Sequence, residues 1–551
     1  MTGADAIARA LVDAGVRAAW SFPGSPLTHL EIDLDRGKAP QHEFSVSEHV
    51  GVTMALAGAL LEGHRTAFLC KHVGINVALD GLATGAAHSL LRSGMVLIEG
   101  LDPLPKSSQN AQDNRAALAS LSNLPLLEPG DPAECYALTR YAYRLSEAMR
   151  CPVVVRIAGR VLDDDGEVPL APPDLPADEA RFFLPGAPIV VTAATWATHL
   201  DQRIEAHERS FPSLSHLAAA DIPKGARRGV VIAGQLGRVA ASAARARGLA
   251  SLRLGAAYPP PIPAILDFLG ALQEVHILEE SQAYLGPWIA FLAATAGPGT
   301  RATLHSQVIT GGGAVDLVLD DIAMSAPTGE RSRSDAPALD VAGALAELPA
   351  QSLDDRSWAD AFHAARGDMK RFPERDPRRQ LLSTLRVEAA RLGRPSIVVA
   401  DPGNTGVLGI GEGLVDVKWH MGSAAPAAAA LARADRIADN PGRPLAIAVI
   451  GDSNYYHSEI LGVMENGIRG RDVLHVILVN RRSEMTGGIR LPQLGDDALT
   501  QQLTAAGLEV SRVLLTDEAA RTAAIIAAVS ARGPRVLLVI DDRKDIKASD
   551  G

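Results

Sequence analysis

The sequence has few cysteines, few aromatic residues and no long apolar run. Its three cysteines, Cys70, Cys135 and Cys151, are too far apart for a CxxC motif, which argues against a disulfide framework. A [4Fe–4S] cluster held by one chain normally needs four thiolates, so we predict no iron–sulfur cluster bound by this chain alone. No apolar run reaches the roughly 18 residues of a membrane-spanning helix, and no basic segment precedes an apolar one at the start. We therefore expect a cytoplasmic protein that does not bind membranes.

Basic residues are also too few and too dispersed for a nucleic-acid-binding surface. The chain carries 53 Lys and Arg against 64 Asp and Glu, a formal net charge of −11. No basic stripe is available to neutralise phosphates, so we predict no nucleic-acid partner. With 551 residues, of which 47% are hydrophobic, the chain is long enough for about three domains with substantial cores.

Apolar strands alternate with helical segments along most of the chain. This alternation predicts an α/β fold of three doubly wound parallel-sheet domains. We place these domains at residues 1–165, 185–325 and 386–551, with a linker at 326–385 that begins with little apolar content. In the middle domain the glycine turn at 234–237 does not match GxGxxG, so we expect a supporting domain there and no dinucleotide site.

Two strand ends in the third domain carry side chains that can bind a metal. The apolar run 445–450 ends in Gly451-Asp452-Ser453, and the next run, 473–479, ends in Asn480. Open α/β sheets bind ligands at the carboxyl ends of their strands, which places both side chains at the ligand-binding edge. The alternative is an ordinary strand–turn–helix connection with a polar turn.

The GDS…Asn spacing of 28 residues, followed by Met485-Thr486-Gly487, resembles the signature of thiamine pyrophosphate (TPP) enzymes. The resemblance implies that Asp452, Asn480 and the main-chain carbonyl of Arg482 hold Mg²⁺ on the pyrophosphate, as suits a hard cation with oxygen ligands. The small residues before the Ala-rich helix at 424 suit a helix N-terminus that binds pyrophosphate. The cofactor contacts implied in this domain are Asn404, Met421, Gly422, Ser423, Gly451, Asp452, Ser453, Asn480, Met485 and Thr486.

The first domain resembles the pyrimidine-binding domain of the large subunit of indolepyruvate ferredoxin oxidoreductase, a TPP-dependent 2-oxoacid enzyme. The matching segments, in order, are SFPGSP at 21–26, SVSEHV at 45–50, CKHVGINVALD at 70–80 and SSQNAQDNR at 107–115. Together with the third domain and a middle part similar to a transketolase C-terminal domain, the resemblance covers most of the chain. It implies cofactor contacts from Gly24 and Ser25.

Glu48 is the catalytic residue that the resemblance singles out. In the family a glutamate here hydrogen-bonds N1′ of the aminopyrimidine and promotes loss of the thiazolium C2 proton. Burial that raises the pKa of this carboxyl would suit the exchange. The alternative is a solvated glutamate at a helix N-terminus, a common position for that residue.

Other matched residues are implied to face the reacting atoms or the substrate. Lys71 and His72 follow a strand and match the family, although a structural role for His72 is equally compatible with the sequence. His457, just after GDS, is a candidate neighbour of the thiazolium or else a capping histidine. The implied substrate contacts are Ser25, Asn76, Gln112 and Arg115, the last as an anion partner.

The sequence also departs from the family. Residues 371–378 (RFPERDPR) stand in place of CPGC, residues 400–404 (ADPGN) replace GDIGC, and no ferredoxin domain follows before the last residue. Because the cluster ligands are missing, we expect non-oxidative decarboxylation of a 2-oxo acid, with or without carboligation. The alternatives are an oxidoreductase subunit whose second subunit carries the redox cofactor, and a non-catalytic scaffold with a degenerate TPP fold. The resemblance further implies a homodimer.

Overall fold

The computed structural model describes residues 1–86, 90–103, 107–176, 179–182, 196–296, 302–309, 314–324, 329–332, 334–349, 355–437 and 440–543. Within them, helices surround three mainly parallel sheets, so the predicted α/β class is confirmed. None of the described helices combines the length and the hydrophobicity needed to cross a bilayer.

The first region is built on a sheet of seven strands. The strands of this region are β1 (Ala18–Ser21), β2 (Gln41–Phe44), β3 (Leu61–Glu62), β4 (Thr66–Lys71), β5 (Met95–Leu101), β6 (Leu126–Leu127) and β7 (Val153–Ala158). All of them except β3 belong to the seven-stranded sheet, and its seventh strand comes from the middle region. The helices of the first region are α1 (Gly3–Asp13), α2 (Thr28–Arg36), α3 (Glu48–Gly58), α4 (Ile75–Asp80), α5 (Pro132–Met149) and α6 (Gly159–Asp163). Side-chain caps begin several of them, such as the reciprocal pair Thr2 and Asp5 on α1.

The middle region contains a five-stranded sheet. It comprises β8 (Arg181–Phe182), α7 (Trp196–Ser215), β9 (Ala218–Asp221), β10 (Arg228–Ala233), α8 (Gly237–Ala246), β11 (Ala250–Leu254), β12 (Ala256–Tyr258), α9 (Ile262–Ala271), β13 (Glu274–Glu280), α10 (Leu285–Thr295), β14 (Thr303–Ile309) and α11 (Ala314–Met324). The sheet order is β14-β13-β10-β11-β9, with β9 antiparallel. Strand β12 instead joins the first sheet, in the order β12-β6-β7-β5-β4-β1-β2.

Residues 326–385, for which the sequence predicts a linker, contain helices wherever they are described at length. These are α12 (Val341–Glu347), α13 (Asp355–Ala365) and the start of α14 (Pro377–Arg391). Asp376 caps α14, whose first residue is a proline, a favourable start for a helix. The domain boundaries themselves stay predictions.

The last region has a six-stranded, fully parallel sheet in the order β16-β15-β19-β20-β22-β21. Its elements are β15 (Ser396–Ala400), α15 (Asn404–Gly411), β16 (Val417–Lys418), α16 (Ala424–Leu431), β17 (Arg436–Ile437), β18 (Asn440–Pro441), β19 (Leu445–Gly451), α17 (Asp452–Asn454), α18 (Ile460–Ile468), β20 (Val473–Val479), α19 (Asp496–Ala505), β21 (Glu509–Leu514), α20 (Glu518–Ser530) and β22 (Arg535–Ile540). Strands β17 and β18 form a small separate sheet with β8 and β3.

Helices α3 and α16 join the first and last regions. Residues 424–431 of α16 are all buried, and so are residues 49–58 of α3. A helix that is apolar all round packs in an interior, and the alanines of α16 allow close approach. Because the two helices pack together, their N-termini meet at the junction of the two regions.

Candidate active site

The two predicted strand-end residues of the last region meet at one edge of the sheet. Strands β19 and β20 are parallel neighbours, so Asp452 and Asn480 follow adjacent strand ends. Asp452 Oδ2 accepts hydrogen bonds from the main-chain amides of Asn480 at 3.0 Å and Arg481 at 2.6 Å. Asn480 Oδ1 accepts the amide of Arg482 at 3.1 Å. Arg481 has a φ of 58°, and this left-handed residue turns the chain back over the edge.

Asp452 is 2% exposed, and burial raises the pKa of its carboxyl above the ordinary value of 3.8, against the lowering effect of the hydrogen bonds it accepts. A divalent cation beside this carboxyl would favour its charged form. The oxygen donors at this edge, a carboxylate, a side-chain amide and main-chain carbonyls, are those that Mg²⁺ prefers. The residues present therefore fit a magnesium ion.

A cavity of about 310 Å³ opens at this edge. Its walls include the predicted residues Asn404, Met421, Gly451, Asp452, Ser453, Asn480, Arg482, Met485 and Thr486. Gly422 and Ser423 do not line it, although they are adjacent in sequence to Met421. We refer to this cavity as the pyrophosphate pocket.

The helix N-terminus at 423–425 does not serve the pocket as the sequence predicts. Asp401 Oδ1 accepts the amides of Ser423 and Ala424 at 3.0 Å each, and Glu459 accepts the amide of Ala425. Because these two carboxyl groups already accept hydrogen bonds from its first amides, α16 has none free there for a phosphate. By contrast α15 begins in the pocket wall at Asn404 and has no side-chain cap, so its N-terminus suits an anion better.

Asp401 and Glu459 form a buried carboxyl pair that sequence reasoning missed. Glu459 is 0% exposed and Asp401 2%. Burial, and then the charge of Asp401, raise the pKa of Glu459 well above its ordinary value, and burial also raises the pKa of Asp401. Two neighbouring carboxyls in an apolar interior cannot both ionise easily, so we assign a proton to Glu459.

This assignment predicts a pH-dependent stability. A carboxyl whose folded pKa lies above its unfolded pKa stabilises the folded protein at low pH, and this contribution is lost as the pH rises past the ordinary value of 4.5 toward the raised folded pKa. We expect the wild type to lose stability as the pH rises above 4.5 and the Glu459→Gln variant to lose less, because glutamine keeps the hydrogen bonds without ionising. Denaturant midpoints across this range measure the difference. Glu518→Gln, on an exposed helix start, is the control, and parallel curves for wild type and Glu459→Gln would contradict the assignment.

Arg378 contributes a cation to the pyrophosphate pocket from the segment that stands in place of CPGC. Its guanidinium donates to Asp376 Oδ2 at 2.7 Å and to Glu484 Oε2 at 3.2 Å. Asn404 Nδ2 also donates to Glu484 Oε2, at 2.8 Å. Two carboxylate partners therefore balance the charge of Arg378, and the uncapped start of α15 is the better anion-binding feature of this wall.

Glu48 begins helix α3 at the junction of the two regions. Burial raises the pKa of its carboxyl above the ordinary value of 4.5. Its side chain packs against Gly74, where an added Cβ would lie 2.6 Å from Glu48 Oε1. The neighbouring His49 donates a hydrogen bond from Nε2 to the carbonyl of Gly422 at 3.1 Å. Nε2 carries the proton because a carbonyl oxygen can only accept.

Gly422 allows this close contact between the regions. It has a φ of 88°, and an added Cβ would lie 2.2 Å from Ser458 Oγ and 2.7 Å from His49 Nε2. A second contact joins Thr53 Oγ1 and His420 Nε2 at 3.2 Å. These contacts place the start of α3, and Glu48 with it, beside the loop whose Met421 lines the pyrophosphate pocket.

A polar cluster lies near Glu48 at the carboxyl ends of the first sheet. Lys71 Nζ donates to the carbonyl of Ser107 at 2.9 Å, and His72 Nε2 lies 3.2 Å from the carbonyl of Asn110. The side-chain amides of Asn76 and Gln112 exchange hydrogen bonds of 2.7 and 3.1 Å. The structure thus brings together the candidates that follow β4 and those in the loop 107–114.

Gly24 and Ser25 belong to the same side of the molecule. An added Cβ at Gly24 would lie 2.9 Å from Lys71 Cβ, and Ser25 is exposed. Neither residue lines the pyrophosphate pocket. His457 is exposed as well, with Nδ1 at 2.8 Å from Ser458 Oγ, and it too lies outside the pocket lining.

Arg115, which the sequence predicts to contact the substrate as an anion partner, lies in a buried network of ion pairs. It is 2% exposed and forms ion pairs with Asp113 at 2.5 Å and with Glu279 of the middle region at 3.0 Å. Its guanidinium also lies 5.3 Å from the centre of the Tyr284 ring. These partners already balance its charge, so Arg115 connects the first and middle regions.

Comparisons with known proteins decide the family. The thiamine pyrophosphate enzyme N-terminal TPP-binding domain matches residues 1–121, and the C-terminal TPP-binding domain matches residues 416–547. The chain carries the N-terminal and the C-terminal domain of thiamine pyrophosphate enzymes. The two matched domains contain Glu48 and Asp452, respectively.

The curated relatives are the same subunit of an oxidoreductase, from different organisms. The chain is 27% identical over 529 residues to indolepyruvate oxidoreductase subunit IorA of Methanothermobacter marburgensis, covering 92% of this chain and 79% of that protein. It is 33% identical to IorA of Methanothermobacter thermautotrophicus over 297 residues, 51% of this chain and 46% of that protein. Among solved structures, one described as a thiamin diphosphate-dependent enzyme from Mycobacterium smegmatis matches 98% of this chain and 100% of its own chain, with a TM-score of 0.51. At 16% sequence identity, this similarity shows a shared fold only.

These comparisons confirm the predicted TPP-dependent 2-oxoacid enzyme family. For the reaction, they favour the oxidoreductase alternative over the non-oxidative interpretation, because the curated relatives are oxidoreductase subunits. The residue roles, the magnesium ion and the oligomeric state stay predictions.

Proposed function

We propose that this chain is the TPP-binding catalytic subunit of a 2-oxoacid oxidoreductase. The observation that supports this most is the packing of α3 on α16, which brings Glu48 beside the oxygen-lined pyrophosphate pocket within one chain. The alignment with IorA over 92% of this chain supports the same activity.

When bound, TPP supplies a carbon that adds to a 2-oxo group and a cation that takes up the electrons left when CO₂ departs. In the proposal, Asp452, Asn480 and the carbonyl of Arg482 hold Mg²⁺ and, through it, the pyrophosphate. The uncapped start of α15 adds positive potential around the same group, and Arg378 of the same wall is held by its two carboxylate partners. Glu48 holds a proton at N1′ of the aminopyrimidine, and its raised pKa suits that exchange.

The polar cluster around Lys71 is the proposed position of the substrate carboxylate. Lys71 supplies an ammonium group, and Asn76 and Gln112 supply amide donors. Lys71 is the last residue of β4, and Asn76 and Gln112 lie in segments that follow strands of the first sheet, on the side where Glu48 begins α3. The names of the relatives make indolepyruvate the first 2-oxo acid to test.

Electrons leaving the site need an acceptor outside this chain. We propose a second subunit that carries the redox cofactor, together with self-association of this chain into a homodimer. The three cysteines, Cys70, Cys135 and Cys151, are all buried and unpaired, and burial raises the pKa of each thiol. They are therefore poor candidates for cluster ligands in the folded chain.

The same cysteines support a second candidate function, non-oxidative decarboxylation. An enzyme with no electron relay can still release CO₂ if the remaining carbon is protonated or joined to an aldehyde. That reaction yields an aldehyde or an acyloin, whereas the oxidative reaction passes two electrons to an acceptor and the remaining acyl group to a thiol or to water.

The requirement for an acceptor distinguishes the two candidates. We expect the purified chain with TPP, Mg²⁺ and coenzyme A as the thiol that takes up the acyl group to release CO₂ from indolepyruvate at a substantially higher rate when a viologen dye is added, with dye reduced in proportion to CO₂. Radiometric CO₂ assays and dye absorbance measure both quantities. The Glu48→Gln variant, assayed in parallel, controls for reaction outside the site. Equal turnover with and without the dye, together with an aldehyde or acyloin product, would overturn the oxidative proposal in favour of the second candidate.

A further inference from the structure

A cluster of two histidines and a glutamate lies on the middle region, apart from the pyrophosphate pocket. Glu274 and His276 are two residues apart on β13 and therefore point to the same face of the sheet. His305 lies on the neighbouring parallel strand β14, directly opposite His276. The imidazole rings of His276 and His305 stack with 4.6 Å between their centres.

The donor atoms of these three side chains converge. Glu274 Oε1 lies 2.9 Å from His276 Nε2 and 3.3 Å from His305 Nε2, and the three residues offer ligand atoms that all lie within 4.8 Å of one another. In a tetrahedral zinc site with bonds of about 2.0–2.1 Å, ligand atoms are about 3.3 Å apart. Two of the separations are already near that value, so small side-chain rotations would complete three ligand positions.

The surroundings suit a metal with imidazole ligands. Arg228 Nε donates to Glu274 Oε2 at 2.7 Å and holds the carboxylate with Oε1 toward the histidines. Such outer partners commonly fix the orientation of ligating carboxylates.

Solvent can reach one side of the cluster. The side chain of His305 is 43% exposed and that of Glu274 is 22% exposed, whereas that of His276 is 9% exposed. Among the described residues, strand β14 lies at the edge of its sheet. Three protein ligands with one open side match a site that keeps a water molecule as its fourth ligand.

We propose that Glu274, His276 and His305 form a binding site for a late first-row divalent metal ion such as Zn²⁺, independent of the magnesium site. Two imidazoles and a carboxylate are a donor set that favours such ions over Mg²⁺ or Ca²⁺. The alternative is a hydrogen-bonded triad that stabilises the edge of the sheet without any metal.

The test is a titration of the chelator-treated full-length protein with Zn²⁺ in the absence of TPP, followed by calorimetry. Co²⁺ absorption spectra then report on tetrahedral coordination. We expect His305→Ala, a change at an exposed edge, and Glu274→Gln to remove one binding site or weaken it by at least about tenfold, the smallest loss typical for even an outer partner of a metal site. The matched control is His216→Ala, since His216 lies 2.9 Å from Asp340 but belongs to no described three-residue cluster of this kind.

The stoichiometry separates this site from others. Loss of one Zn²⁺ equivalent in His305→Ala and Glu274→Gln, with His216→Ala unchanged, supports the proposal. An unchanged stoichiometry and affinity in both cluster variants overturns it, and so does a loss of equal size in the control. Circular dichroism of each variant confirms that the protein is folded before the titrations are compared.

Discussion

Replacing Asp452 by asparagine should weaken Mg²⁺-dependent TPP binding by about a hundredfold or more, since changes to outer partners of a metal site already cost about 10–100-fold. Asparagine keeps a carbonyl oxygen that can accept the amides of Asn480 and Arg481. It lacks the negative charge that attracts a divalent ion into this buried edge. Calorimetric titration of TPP with and without Mg²⁺ measures the effect, and we expect the variant to lose the difference between the two conditions.

The choice of asparagine separates metal binding from folding. Asp452→Ala would leave three main-chain amides, those of Ser453, Asn480 and Arg481, without their acceptor, and each unsatisfied buried donor costs about 1–3 kcal/mol. The alanine variant should therefore lose both TPP affinity and stability, whereas the asparagine variant loses mainly affinity. Asp497→Asn is the control, because the side chain of Asp497 is 87% exposed in the same region. Equal TPP affinities in the wild type and Asp452→Asn would remove the metal assignment.

The positions of Asp452 and Asn480 at one edge of the sheet could be predicted, because they depend only on the residues of the strands that directly precede them. Each of these two strands is a run of mainly apolar, buried residues, and parallel neighbours end at the same edge. A polar residue directly after such a run is therefore placed by the fold itself. The α/β class could be predicted for the same reason, since strands and helices alternate regularly along the chain.

The carboxyl pair Asp401 and Glu459 could not be predicted. Glu459 follows Asp452 by seven positions, in a short π-helical segment at 455–459, where no regular period indicates which side chains face inward. Only the packing of α16 shows that both carboxylates accept its first amides. The sequence shows a helix start rich in small residues, but not that acidic residues from elsewhere occupy it.

Arg115 illustrates a related limit. A match to a family segment indicates where a residue lies along the chain, but the partners of a long charged side chain depend on tertiary contacts. Its partner Glu279 is on β13, far away in the sequence, and the pairing becomes visible only once the middle region is placed against the first. The same is true of β12, which leaves the middle sheet to pair with β6.

The junction of α3 and α16 gives the isolated motifs a common site. From sequence, Glu48 and Asp452 are two separate candidates 404 positions apart. Contacts of His49 with Gly422 and of Thr53 with His420 bring their two regions together in one chain. If this arrangement is the functional one, both residues act on the same cofactor, and their variants should differ in kind: Asp452 variants lose binding, and Glu48 variants lose chemistry.

Glu48→Gln should therefore retain TPP but slow exchange of the cofactor's C2 proton by about 10²–10⁴-fold, the usual contribution of a positioned acid–base group. Glutamine has nearly the same shape as glutamate and fits the same space against Gly74. However, its side-chain amide does not ionise, so it cannot give up or take a proton at N1′. The carboxyl of Glu48 can, and burial raises its pKa. Rapid quenching after transfer to deuterated buffer, followed by proton NMR of the released cofactor, measures the exchange rate.

The control for this experiment is Glu62→Gln, because the side chain of Glu62 is 34% exposed and pairs only loosely with Arg92, at 3.6 Å. We expect wild-type exchange in that variant and equal TPP affinity in all three proteins. Slow exchange with unchanged affinity is specific to a residue that moves a proton, since a residue needed only for structure would change binding or stability as well. If Glu48→Gln exchanges the C2 proton at the wild-type rate, Glu48 is only the first residue of α3, and the acid–base group of this enzyme must be sought among its other residues.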